Sequence, residues 1–182
     1  MKSHSFIFLI LFPLFFGCRP QVNPQVSFYY WKTIFHLSPF EKKTLKNNGV
    51  SKLYIRYFDI SLNPETKKPF PESPILFKQK PVDFKIVPVI YIKKEVFINT
   101  ETELSDLVKK TNDYIEQINK HWGIQTIEIQ IDCDWTLSTR DKYMEFLKIF
   151  KKESKKILSA TIRLHQVKYA AQTKIPEVDY AC

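Results

Sequence analysis

Glycine is nearly missing from this chain: three residues in 182, against eleven prolines. Neither GxGxxG nor the P-loop pattern GxxxxGK occurs, so the glycine-rich loops that cradle phosphates are excluded. Cysteine is equally sparse, at three, and no CxxC or HExxH spacing is present. No metal site and no bound cofactor are therefore expected. No basic motif interleaves with aromatics along one strand face, which argues against a nucleic-acid partner. No apolar run approaches the twenty or so residues that a finished membrane span needs.

What is present begins with an N-terminal address. In "MKSHSFIFLILFPLFFGC", Lys2 supplies the positive end, Phe6 to Phe16 the apolar stretch, and small Gly17 precedes Cys18. This reads as a secretory signal over residues 1–17. The Gly-Cys junction resembles a bacterial lipoprotein signal, which implies cleavage before Cys18, acylation of its thiol, and a polar tether over residues 18–25. More than one acyl chain anchors a protein stably to a bilayer. Removing residues 1–17 leaves 27 basic residues against 19 acidic ones, a charge of +8. Much of it lies in lysine-rich helical stretches, as on solvated faces or beside anionic headgroups.

The whole chain is 44% hydrophobic and 15% aromatic, enough for one folded domain, placed over residues 26–182. Five β-branched or aromatic runs stand out: 26–35, 52–60, 84–92, 126–135 and 158–167. Helical segments alternate with them over 38–49, 102–123 and 138–154, with Ser or Thr caps and terminal glycines at two of the ends. Between the second and third strands, "SLNPETKKPFPESPILFKQKP" reads as a loop insertion. Cys133 and Cys182 lie mid-strand and at the end of the chain, a placement that does not suggest a bridge.

Strand-helix alternation predicts an α/β protein with a parallel sheet. Side-chain parity chooses between two versions. In "TIEIQIDCDW", Ile127, Ile129, Ile131, Cys133 and Trp135 share one face, while Glu128, Gln130, Asp132 and Asp134 share the other. A doubly wound sheet needs both faces apolar, because helices cover both. A barrel accepts paired polar groups inside, especially near its upper rim. The expectation is the N-terminal five-strand portion of a (β/α)8 TIM-like barrel, truncated relative to the eight units that a closed barrel requires. A small open parallel α/β sheet is the alternative.

Asp132 and Asp134 point the same way, about 6.6 Å apart along the strand, at the carboxyl end where barrel enzymes place reactive groups. A carboxylate pair divides into proton donor and stabiliser when one raises the pKa of the other. His165 and Arg163 on the fifth strand, and Arg56 on the second, have the parity to assist. His165 would serve as a base or donor, and Arg163 and Arg56 as ligand-binding or charge-balancing groups. A buried ion-pair network is the competing role, above all for Asp132 and Glu128. Tyr29 and Trp31 share an inward parity on the first strand and suggest a sugar-stacking floor or simple core.

"IQIDCDWT" resembles the fourth-strand signature of glycoside hydrolase family 18, the chitinase-type barrels, which ends DxDxE. The resemblance puts Asp132 and Asp134 at the two aspartate positions, the second of which orients the substrate's acetamido group in that family. The family's catalytic glutamate falls at Thr136, and threonine cannot protonate a leaving group at neutral pH. Ile129 and Gln130 likewise replace an earlier Asp-Gly. Chitinase-type catalysis is therefore not expected. The whole chain resembles uncharacterised lipoproteins of gram-negative bacteria with a glycosidase-like barrel, in which "ATIRLHQVK" fits a fifth strand. The functional expectation is a lipoprotein tethered through Cys18 in the cell envelope, by default at the outer membrane, that binds or processes carbohydrate. A non-catalytic envelope protein that binds a partner or scaffolds an assembly is the alternative. The oligomeric state is open.

Overall fold

The computed structural model describes residues 25–182. The signal over 1–17, Cys18 and most of the tether lie outside the described residues. The chain runs β1 (Ser27–Tyr30), β2 (Ile34–Phe35), α1 (Pro39–Asn47), β3 (Lys52–Leu62), β4 (Pro69–Glu72), β5 (Leu76–Phe77), β6 (Lys85–Ile92) and α2 (Glu95–Ile98). It continues through α3 (Leu104–Trp122), β7 (Glu128–Asp132), α4 (Arg140–Ser154), β8 (Ile157–Ala160), α5 (Leu164–Lys168), α6 (Ala170–Thr173) and β9 (Tyr180–Ala181). The main sheet has the order β1-β3-β6-β7-β8-β9, parallel at every step, with β4 added antiparallel to the end of β3. β2 and β5 form a separate parallel pair.

Local chemistry sets the helix ends. Ser38 accepts from the Glu41 amide while Glu41 accepts from the Ser38 amide, a capping box with Pro39 in the first turn of α1. The backbone hydrogen bond from Ser38, then the Lys32 ammonium, hold the Glu41 carboxyl down at about 2. Glu103 caps α3 by accepting from the amides of Ser105 and Asp106, and Gly123 closes the helix at φ +59°.

The two sheet faces differ as strand parity predicts. Outward side chains such as Ile90, Ile129, Ile131 and Leu158 pack against Val108 and Ile115 of α3 and Phe146 and Phe150 of α4, all fully buried. This is the main core. The inward face has only a small apolar patch of its own, Tyr54, Val87 and Val89. The sheet is curled. Tyr29 on β1 donates through its hydroxyl to Gln130 Oε1 on β7 at 3.0 Å, although two strands lie between them. Three steps of about 4.8 Å in a flat sheet would separate those strands by about 14 Å, too far for side chains standing upright. The curl thus brings β1 and β7 within side-chain reach across the inner face. The architecture is a curled, open, parallel half-barrel.

A β-bulge interrupts β3. Register with β6 shifts between Arg56 and Phe58, so Lys52, Tyr54 and Arg56 point inward, and after the shift Asp59 and Ser61 do. Tyr57 and Phe58 are both buried in the main core.

Three expectations need correction. The segment read as a loop insertion contains the end of β3, all of β4 and β5, because Pro69 and Pro71 sit on an antiparallel edge where a missing amide is tolerated. The run 26–35 is two strands separated by residues 31–33. The fifth strand ends at Ala160 rather than 167. Arg163 is in extended conformation before α5, where its amide donates to Gln166 Oε1 at 2.8 Å, and His165 belongs to that helix.

Candidate functional site

The inward side chains form layers that rise from the floor of the half-barrel to its carboxyl-end rim. At the floor, Glu128 is 3% exposed. It accepts from Lys52 Nζ at 2.8 Å, Tyr54 Oη at 3.1 Å and Ser159 Oγ at 3.1 Å. Lys52 and Tyr54 reach Glu128 from β3 across the intervening β6, and Ser159 from the adjacent β8. A carboxylate so deep needs such donors. The charged floor is a satisfied network.

The middle layer is a directed chain. Tyr29 donates to Gln130, and Gln130 Nε2 donates to Thr161 Oγ1 at 3.1 Å. Gln130 is completely buried. Beside this layer lies an aromatic stack. Trp31 and Tyr29 rings are 5.6 Å apart and 9° from parallel, and Tyr29 and Tyr54 are 4.8 Å apart at 26°. Tyr29 and Tyr54 are register partners on adjacent strands, so the stack follows from the β1–β3 pairing. Trp31 remains half-exposed at its end. Burial pushes the Tyr29 phenol up to about 12 and raises that of Tyr54 further, Glu128 adding to the latter.

The rim holds the aspartates. Asp132 pairs in register with Tyr91 of β6, which pairs with Asp59 of β3, so two carboxylates flank one tyrosine in a single row. Asp134, beyond the last ladder pair of β7, accepts from Tyr91 Oη at 3.3 Å and from the Arg163 guanidinium. Burial first, then the nearby Asp134 charge, pushes the Tyr91 phenol up to about 12. Burial also raises the Asp132 carboxyl, with Asp134 and Asp59 adding to the shift and Thr161 and Arg163 opposing it. Asp132 Oδ1 is buried, and among the described residues nothing donates to it.

The structure thus places Asp132, Asp134, Arg163, Tyr29 and Trp31 on one inner surface. Arg56 faces inward too, but the bulge brings Asp59 beside it and the two form an ion pair through both guanidinium nitrogens available on that side. Arg56 therefore does not join Asp132 and Asp134. His165 is exposed on α5, past the end of the strand expected to carry it, and among the described residues its side chain makes no hydrogen bond to either aspartate. Thr136 belongs to the turn before α4: its amide donates to Thr139 Oγ1 at 2.9 Å and its hydroxyl lies 2.9 Å from Ser138 Oγ. Tyr91, Tyr54, Gln130 and Thr161 are participants that sequence reasoning did not name as site residues. The alternation Val87, Val89, Tyr91 already carries the signal for Tyr91, as the first polar group on that face. Among the described residues, no group of three His, Cys, Asp or Glu side chains is arranged to hold a metal ion. No helix among them is long and apolar enough to cross a membrane.

Among solved structures, the chain is similar to the chitinase domain of the spore coat protein CotE from Clostridium difficile, with a TM-score of 0.52 at 13% identity. The match covers 89% of this chain and 50% of that one, so the chain spans about half the length of the chitinase domain. At such identity the likeness concerns the fold, and it agrees with half of a glycosidase-like barrel. No family model matches the sequence, and no curated protein matches it either.

Proposed function

We propose that the inner face of this half-barrel binds carbohydrate without cleaving it by chitinase chemistry. The observation that carries the reading is the aromatic stack of Trp31, Tyr29 and Tyr54 on the same surface as Asp132 and Asp134. Sugar rings present apolar C–H faces to aromatic planes and hydroxyls to carboxylates, and this surface offers both. The fold-level likeness to a chitinase domain supports a carbohydrate ligand by analogy. The turn role of Thr136 argues against hydrolysis in the manner of that family, since a hydroxyl in a helix-capping turn is no general acid. The alternative, an envelope protein that scaffolds an assembly, would leave the rim carboxylates without a ligand role.

In this reading Cys18 is acylated and holds the domain at an envelope membrane, by default the outer membrane of a gram-negative cell. Pull-down on insoluble glycans, followed by calorimetry with soluble hexasaccharides, tests the binding. The expected result is saturable binding lost in Tyr29→Ala together with Trp31→Ala, with a native circular dichroism spectrum. Failure of every glycan to bind overturns the proposal. Cys18→Ser tests the anchor separately: the chain should move from the membrane pellet to the soluble fraction.

A further inference from the structure

We infer that the outer flank formed by β1 and α1 lies against an anionic bilayer surface. The inference rests on the Cys18 anchor proposed above and adds to it the side of the domain that meets the lipid.

Apolar side chains are exposed on this flank. Phe28 is 44% exposed, Val26 44% and Phe40 78%. Phe28 alternates with Tyr29 along β1, so it points away from the inner face, and Val26 has the same parity. Phe28 and Phe40 line one cavity of about 270 Å³, together with Leu37, Leu45 and Leu53. The cap of α1 is made by Ser38, Pro39 and Glu41, and asks nothing of Phe40.

The flank is also cationic. Residues 26–50 hold four lysines and one glutamate, a charge of 4 − 1 = +3. Lys32 is paired with Glu41. Lys42, Lys43 and Lys46 are exposed, and among the described residues none of them has a carboxylate within salt-bridge distance. Lys43 and Lys46 follow Phe40 at three-residue spacing, so the three are successive neighbours on the helix surface. A ring beside ammonium groups suits a bilayer interface, with the ring at the acyl boundary and the lysines among anionic headgroups. A second copy seated on the same flank would set +3 against +3, which is repulsive.

The tether enters at this edge. Gln25 leads directly into β1, the edge strand of the sheet, and donates to Ser51 Oγ at 2.8 Å. From Cys18 to Gln25 there are 25 − 18 = 7 residue steps, a reach of at most about 25 Å. An acylated Cys18 would therefore keep the β1 end of the domain near the headgroups. Alone the flank binds reversibly and washes off. With the acyl anchor it sets how the domain stands, outer flank to the lipid and inner face open to ligand.

The experiment is vesicle co-sedimentation of the unacylated chain from residue 18 onward, carrying Cys18→Ser, which holds every described residue. The probes are vesicles of phosphatidylethanolamine and phosphatidylglycerol, about 3:1, and vesicles of phosphatidylcholine alone. The anionic vesicles should bind at least about tenfold better at about 0.1 M salt, and lose that advantage at about 1 M. Lys43→Gln with Lys46→Gln should weaken anionic binding about twentyfold, the product of about fivefold for each lysine. Phe40→Ser should weaken it about tenfold with the charge unchanged. Leu164→Ser, at a residue 89% exposed on α5, should change nothing. A native circular dichroism spectrum shows that each variant is folded. Equal binding to both vesicles, no binding to either, or binding that survives both Phe40→Ser and the double lysine variant overturns the inference. A dimer in analytical ultracentrifugation that Phe40→Ser dissolves assigns the flank to a second copy and overturns it too. The Cys18 anchor stands or falls separately, by whether the Cys18→Ser chain leaves the washed membrane pellet.

Discussion

Replacing Lys52 with methionine tests how the charged floor of the half-barrel is held. The Glu128 side chain is 4% exposed and that of Lys52 22%. Lys52→Met removes the one ammonium that pairs with Glu128 among the described residues and leaves a buried carboxylate with two hydroxyl donors, Tyr54 and Ser159. Breaking a buried pair by deleting one partner costs about 3–5 kcal/mol. The Lys52 end is open enough to solvent to put the expectation at the lower bound, about 3 kcal/mol. For a domain of this size the urea slope is about 2 kcal/mol/M, so the midpoint should fall by about 1.5 M in a urea titration followed by far-UV circular dichroism. Adding Glu128→Gln in the same chain should restore most of the loss, because the amide still accepts from Tyr54 and carries no stranded charge. The cycle isolates the coupling between the two groups. A midpoint shift under about 0.3 M for Lys52→Met would refute the argument, since the carboxylate would then be neutralised by something other than Lys52.

Asp132→Asn should change stability with a definite pH dependence. A carboxyl whose folded pKa is raised favours the protonated native state, a contribution present below the ordinary aspartate value of about 3.9 and lost as pH rises through the folded value. The variant should match the unaltered chain in acid, gain on it as pH rises through that window, and keep a constant advantage above it, read from thermal midpoints across pH 3–8. Tyr29→Phe should cost about 1 kcal/mol for the bond to Gln130, and ultraviolet titration should show one fewer of the late phenols that ionise near pH 12. Phe97→Ala, at a side chain 1% exposed between Tyr143 and Phe146, should cost about 3–5 kcal/mol by urea titration. Arg163→Gln should cost less than about 1 kcal/mol in the same assay, because both it and Asp134 are well exposed.

Strand alternation carried the architecture. The apolar and polar faces of 127–135 separate cleanly because β7 is regular, and the inference from a polar inner face to a barrel-like curl follows from the covering of only one side by helices. The same rule misplaced His165 and the role of Arg56. Alternation cannot show where a ladder ends, and "LSATIRLHQV" keeps its apolar alternation through Ile162 and Leu164, although the strand ends at Ala160 and α5 begins at Leu164. It also cannot show a bulge, so nothing in "YIRYFDI" announced that Arg56 and Asp59 would meet. The helices were legible because capping is written locally: Ser38 with Glu41, and Gly123 after α3. The antiparallel β4 hid in a proline-rich segment, where composition speaks for a loop and only tertiary pairing says otherwise. Gln130 and Thr161 were invisible as a connected pair, since their contact joins two strands.

The bulge in β3 also has a meaning for how this chain aligns with others. Side-chain alternation is a two-letter rhythm with a phase, and residue 57 advances that phase by one beat. The pairs after it, Phe58 with Ile90 through Ile60 with Ile92, do not depend on the extra residue being there. An unbulged relative would thus be one residue shorter with every later pair intact, and a correct alignment should open its single gap at Tyr57. What such a relative would lose is the tether that this residue provides, since Tyr57 donates to Asn119 on α3 at 3.0 Å and meets Phe77 edge-on. The bulged residue thus anchors the strand to α3 while the pairing on either side of it continues in register.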